Sequence, residues 1–247
     1  MANIFPRGAN WVPLKLTIMS TFVGAFVVAG VWYYFTPKYT RVGYEPVQPV
    51  PFPHNVHVAQ LGMDCRYCHS FVEVAAHSNV PTTQVCMNCH SQVQKDNPKL
   101  QPVRDSWETG KPIEWVQIHK TPDYVYFNHS VHVNRGVSCV SCHDKVNEMA
   151  VVYHAKPHSM KWCLECHRAP ENALRPVDQV TNLNWDPSQE DPKAFIAKYG
   201  KPPLQPGQEE PDYTAPDFRL TQEQIGLTIK QREHVFPPDK NCFGCHR

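Results

Sequence analysis

The residues best equipped for chemistry in this sequence are its cysteines. All ten fall, without remainder, into five copies of Cys-x-x-Cys-His: Cys65, Cys68 and His69; Cys86, Cys89 and His90; Cys139, Cys142 and His143; Cys163, Cys166 and His167; Cys242, Cys245 and His246. Two thiols about one helical turn apart can form thioethers with the two vinyl groups of one haem, and the next residue's imidazole can take the iron's proximal position. The pattern predicts five covalently bound c-type haems, with His69, His90, His143, His167 and His246 as proximal ligands. Zinc in four-thiolate sites is the competing chemistry, but five pairs do not divide evenly into such sites, and zinc requires no histidine after each pair. Disulfides within the pairs leave the histidines equally unexplained.

An iron held by one histidine has a second axial position to fill. The run FPHNVHVAQLGMDCRYCH, residues 52–69, recurs as FNHSVHVNRGVSCVSCH, residues 127–143, so Phe-x-His-x-Val-His twice precedes an attachment motif. His54 and His57 map onto His129 and His132, each 75 residues on, whereas Cys65 and Cys139 are 74 apart, so the two copies differ by one residue between histidine and cysteine. The repeat makes His54, His57, His129 and His132 the leading distal ligands, against the alternative of solvated histidines. HSNVPTTQVCMNCH, residues 77–90, and HAKPHSMKWCLECH, residues 154–167, match in the same way. His77 and His154 therefore repeat too, as ligands or as capping and surface residues. His119, His158 and His234 carry weaker signals, and among methionines Met149 and Met160 are alternatives to a histidine or core filler, while Met87 lies inside a motif.

These residues must be positioned by elements that the sequence also outlines. Residues 16–35 form an uncharged run of twenty, long enough to span a bilayer as a helix, flanked by Lys15 and Lys38, with Trp11 towards one end and Trp32, Tyr33 and Tyr34 at the other. A retained anchor is expected rather than a cleaved signal peptide, whose apolar region is shorter. Arg7 and Lys15 balance Lys38 and Arg41, so flanking charge does not orient the span. Haem attachment takes place outside the bacterial cytoplasmic membrane, which puts the chain after Pro37 on the periplasmic side and the N-terminus in the cytoplasm. Ser20/Gly24 and Ala25/Ala29 offer small residues four apart, suited to a neighbouring helix or merely tolerated against lipid.

The remaining residues are few for five haems and rich in the chain's 24 prolines. The expected fold is mainly α and irregular: a single N-terminal transmembrane helix followed by a multihaem cytochrome c domain of class III type with little or no sheet. The organisation expected is an anchor segment (1–37), a first di-haem module (38–95), a connector (96–126), a second di-haem module (127–170), a Pro-rich partner-contacting segment (171–233) and the fifth motif (234–247). Residues 168–241 read as extended, interrupted by one helix opening at Asp191-Pro192 and closing before Gly200 and another opening on the capping-box pattern Thr221-x-x-Gln224. This segment lies on a partner subunit or is a disordered linker. A formal net charge of +1 gives no reason to invoke nucleic acid.

The ordered set of motifs resembles a known family, the membrane-anchored pentahaem cytochrome c subunit of alternative complex III, a bacterial quinol:electron acceptor oxidoreductase. The resemblance rests on the anchor, the two Phe-x-His-x-x-His modules, LGMDCRYCH, VCMNCH, TGKPIEWVQIHKTPDYVYFNHSVHVNRGVSCVSCH, SMKWCLECHR and the terminal Cys-x-x-Cys-His. It implies assembly with an iron–sulfur and molybdopterin-oxidoreductase-like subunit, with polytopic quinol-binding membrane subunits, and with a monohaem cytochrome c or other acceptor. It also implies mostly bis-histidine haems with a minority His/Met site, favouring His54, His57, His129 and His132, with Met149 as the methionine and His154 and His158 as rivals for the fifth position. The function expected is electron relay from quinol to a periplasmic acceptor or terminal oxidase, without a catalytic site of its own. The alternatives are a multihaem reductase with one open iron, for which a Cys-x-x-Cys-Lys motif would have spoken, and a membrane-anchored quinol dehydrogenase. The span offers no ionisable residue for quinol protons.

Overall fold

The computed structural model describes residues 6–35, 40–204 and 206–246. The chain divides into two units, Met1–Val42 and Gly43–Arg247. Pro37 and Lys38, with which the sequence reading closes the span, lie outside the described residues.

In the first unit a 3₁₀ turn, Arg7–Trp11, runs into α1, Val12–Phe35. Twenty-four residues give a rod of about 36 Å, enough to cross a hydrocarbon layer of about 30 Å. None of its residues is buried. Two of its polar side chains are satisfied locally: Thr17 and Thr21 donate their hydroxyls to the carbonyls of Pro13 and Thr17, each at 2.9 Å, as an apolar surrounding demands. This is one N-terminal helix long and apolar enough to span a membrane.

The second unit is made of short helices joined by irregular chain. Those carrying the motifs are α2 (Cys65–Cys68), α3 (Thr83–His90), α6 (Cys139–His143) and α7 (Met160–Arg168). Between them stand α4 (Gln101–Thr109), packed on α3 through a 2.6 Å Thr83–Ser106 hydroxyl bond, and α5 (His129–Val133). The fifth motif forms a 3₁₀ turn, Cys242–Gly244. Extended pairing among the described residues amounts to two isolated bridges, Val125–His246 and Val137–Leu174, so the expected helical, sheet-poor architecture holds.

The segment expected to be extended departs from its reading. Residues 168–241 contain α8 (Pro192–Tyr199) and α9 (Gln222–Arg232), as the caps predicted, and α9 has the full capping box from Thr221 and Gln224. They do not lie in open chain, however. Leu174, Phe195, Leu220, Ile225 and Ile229 bury together, and Val137, Trp185, Ile196, Tyr199, Phe218 and Val235 pack against them. Each fully buried aliphatic side chain contributes about 2 kcal/mol, which supports folding of a segment whose larger apolar residues mostly converge. Gly226 lets α9 meet the backbone at residue 171 so closely that an added Cβ would lie 1.9 Å from the Glu171 oxygen. The Gln222 amide donates to the Glu171 and Leu174 carbonyls, and Lys230 pairs with Glu171 at 2.8 Å.

Candidate functional site

Each attachment motif lies on a helix or helical turn, and three of these are begun by a side-chain cap. Asp64 accepts from the Arg66 amide, Ser159 from Trp162 and Asn241 from Phe243. One turn brings the two cysteines of a pair onto one face, and the histidine amide then donates to the first cysteine's carbonyl, at 2.9 Å for both His69 and His246. None of the ten cysteines is paired in a disulfide. Among the described residues no three His, Cys, Asp or Glu side chains converge as a bare metal ion would require. What converges instead is histidines in pairs.

The rings are oriented by backbone carbonyls. Nδ1 of His57 donates to Pro53 at 2.9 Å, His69 to Asn79 at 2.7 Å, His90 to Val93 at 3.0 Å, His129 to Ala76 at 2.9 Å, His132 to Asn128 at 2.7 Å and His167 to Pro238 at 2.9 Å. A carbonyl can only accept, so the proton sits on Nδ1 and the lone pair on Nε2 is left for a metal. Three proximal and three distal candidates share this arrangement. Two imidazoles on one axial line through an iron have ring centres about 6 Å apart, given metal–nitrogen bonds of about 2 Å. The centres of His57 and His90 are 6.3 Å apart, those of His132 and His167 6.2 Å, and those of His129 and His143 6.5 Å with planes only 5° from parallel. The residues present therefore fit c-type haem with axial histidine pairs.

The repeat is preserved in detail. Phe52 stacks on His57 at 4.3 Å and meets His54 edge-on at 4.9 Å; Phe127 stacks on His132 at 4.9 Å and meets His129 edge-on at 4.7 Å. The one-residue difference between the copies is absorbed in the helix after each histidine pair. In the second copy the His132 carbonyl accepts from Val137, five residues on, at 3.0 Å. In the first, the His57 carbonyl accepts from Met63, six residues on, at 3.1 Å, and the intervening Asn55–Gln60 is a π turn.

Burial tunes the rings towards the neutral form that binds metal. It pushes His54 down to about 4, helped by the neighbouring His69 and His57, pushes His129, His132 and His158 below the ordinary value, and pushes His143 well below it. His54 Nδ1 is buried without a hydrogen-bond partner, and its ring lies against Phe52. His143 has further neighbours: His158 at 6.3 Å and His119 at 4.3 Å, the latter too close for both to bind one iron from opposite sides. His158 donates Nε2 to the Cys142 carbonyl at 3.3 Å, His154 is buried against His119 and His158, and His77 is exposed. His234 sits 6.5 Å from the Phe236 ring, Met149 is buried with its carbonyl accepting from Asn55, and Met160 is exposed at the start of α7. His246 stacks on Tyr124 at 5.7 Å. The sequence reading placed the two phenylalanines in the repeat but gave them no role. It also missed Asn79 and the anchoring carbonyls, for which no residue-type signal exists.

Residues 50–106 and 125–188 match the family of cytochrome c7 and related cytochrome c, and the chain carries a multihaem cytochrome c domain. It is similar to the menaquinone reductase, multiheme cytochrome c subunit, of Nitratidesulfovibrio vulgaris (strain Hildenborough), with 35% identity over 125 residues. That match covers 49% of this chain and 57% of the relative, so the chain spans little more than half the relative's length. The matched stretches thus relate this chain to multihaem cytochromes c and to a subunit of a menaquinone reductase.

Proposed function

We propose that this chain is a pentahaem relay in a membrane quinol:electron acceptor oxidoreductase of the alternative complex III type. One observation carries the reading: three of the five motif histidines, His90, His143 and His167, each face a repeated histidine at the separation of two axial ligands, which supports closed sites suited to one-electron transfer. Bound haem supplies a one-electron couple at each site. The ten cysteines would attach it, the five motif histidines together with His54, His57, His129 and His132 would ligate it, and ligand type, burial and the carbonyls on Nδ1 would set its potential. Met149, or one of His77, His154, His158, His234 and Met160, completes the fifth site.

Quinol oxidation releases two electrons and two protons. In this reading both leave quinol on a polytopic partner, which releases the two protons to solvent, and the electrons pass singly through this chain, by way of or beside an iron–sulfur and molybdopterin-oxidoreductase-like subunit, to a monohaem cytochrome c or other periplasmic acceptor. Helix α1 fixes the chain to the bacterial cytoplasmic membrane with its N-terminus in the cytoplasm. A second reading, favoured by the name of the menaquinone reductase relative, runs the same relay towards quinone. Intact mass of the matured protein tests the count, five haems being expected. Anaerobic mixing of the purified complex with a quinol then tests direction: rapid reduction of the haem bands supports the first reading, and oxidation of pre-reduced haem by quinone alone supports the second.

A further inference from the structure

The five motifs, numbered along the chain, are ordered differently in space. Motif two meets motif one through the motifs' own residues, where the Asn88 amide donates to the Tyr67 hydroxyl at 3.2 Å. Motif one meets motif three through the residues that cap them. Thr181 donates to the carboxylate of Asp64, cap of α2, at 3.0 Å, while the preceding carbonyl, Val180, accepts from Ser138, cap of α6, at 2.6 Å. Two consecutive residues thus clamp the starts of both motifs. Motif three meets motif four through His158, which donates to the Cys142 carbonyl at 3.3 Å and packs 5.2 Å from Trp162 of α7. Motif four meets motif five where His167 donates to Pro238 at 2.9 Å, with Gly244 so close that an added Cβ would lie 2.9 Å from the Pro238 side chain.

Exposure follows the same order. No residue of the motif Cys139–His143 is exposed, whereas the exposed cysteines are Cys89 in motif two and Cys242 in motif five. We infer that the five sites form a single file in the order two, one, three, four, five, and that electrons enter and leave at motifs two and five. This rests on the reading of every motif as a haem site. Each hop oxidises one site and reduces its neighbour by one electron, with no proton moved; a donor partner supplies the electron at one end and an acceptor partner removes it at the other. The site nearest the N-terminus in sequence is then internal, and the third is the midpoint.

Two ligand changes test the order. His57 faces His90 and so belongs to the site at motif two; His132 faces His167 and belongs to motif four. Methionine in place of a histidine ligand raises that site's potential, and a change in one site's charge at a given potential moves the apparent midpoints of its near neighbours. Potentiometric titration followed by absorption and electron paramagnetic resonance is expected to show His57→Met moving one further component and His132→Met moving two. Two neighbours moved by His57→Met, or one by His132→Met, overturns the order while leaving the relay intact. A mass showing fewer than five haems overturns the relay reading and the order with it. Should a variant not mature, dipolar relaxation measurements on the unsubstituted protein decide: three sites with two near neighbours and two sites with one are expected, and any site with three overturns the file.

Discussion

Asn79→Ala is predicted to raise the potentials of two haem sites together. The Asn79 side chain accepts from the Phe71 amide at 2.9 Å and donates to the Cys68 carbonyl at 3.2 Å, folding the loop after the first motif so that the Asn79 carbonyl reaches His69 Nδ1 at 2.7 Å. The same loop presents the Ala76 carbonyl to both Nδ1 and the backbone amide of His129. Alanine removes these two hydrogen bonds, worth about 1 kcal/mol each, and a longer one to the Ser70 hydroxyl at 3.4 Å, and the loop relaxes accordingly. A carbonyl on Nδ1 makes the imidazole a stronger donor to iron and so favours the ferric state. Losing about 1 kcal/mol of that preference corresponds to about 40 mV for a one-electron couple. The expected titration shows two components raised by about 40 mV and the others unmoved. Midpoints that all stay where they were, or that fall, would refute the idea that these carbonyls tune the sites.

Gly226→Ala is expected to force α9 away from Glu171 and expose Ile225 and Ile229, costing about 3 kcal/mol and lowering the thermal midpoint by about 10 °C; an unchanged melting curve by circular dichroism would contradict the packing. The Arg66 guanidinium beside Asp64 holds its carboxyl at about 2, below the usual 3.8. Because the folded state gives up this proton more readily than the unfolded one, the resulting stability is present above pH 3.8 and drains away as pH falls towards 2. Asp64→Asn should flatten that part of the acid-unfolding profile, and an identical profile would count against it. Val27→Arg places a charge near the middle of α1 at a cost of about 3 kcal/mol, so the variant is expected to leave the membrane fraction, and full retention after alkaline washing would speak against a single span.

Fixed spacing explains why the candidate residues stand out in the sequence. A thioether needs a cysteine at a set spacing, so the five motifs announce themselves, and the duplication of Phe-x-His-x-x-His exposes His57 and His132, which the fold places opposite His90 and His167. The helices at Pro192 and Gln222 were equally readable, because a cap is a local event between side chain and backbone. The core was not: Leu174, Phe195, Leu220, Ile225 and Ile229 are scattered over a proline-rich stretch whose polar composition suggests open chain, and only tertiary contact gathers them. Nor could any pattern reveal that Pro238 anchors His167 or that Ala76 anchors His129, because every residue carries a carbonyl. The spatial order of the motifs escaped for the same reason, as it depends on long-range bonds such as that between Thr181 and Asp64.

Low-temperature electron paramagnetic resonance of the oxidised protein, integrated against total iron, tests the central claim most directly. Relay through closed histidine-paired sites predicts that all the haem is low-spin and that added nitrite or cyanide leaves the signals unchanged. One stoichiometric high-spin haem that responds to either ligand would contradict it and make this chain a catalyst at an open iron.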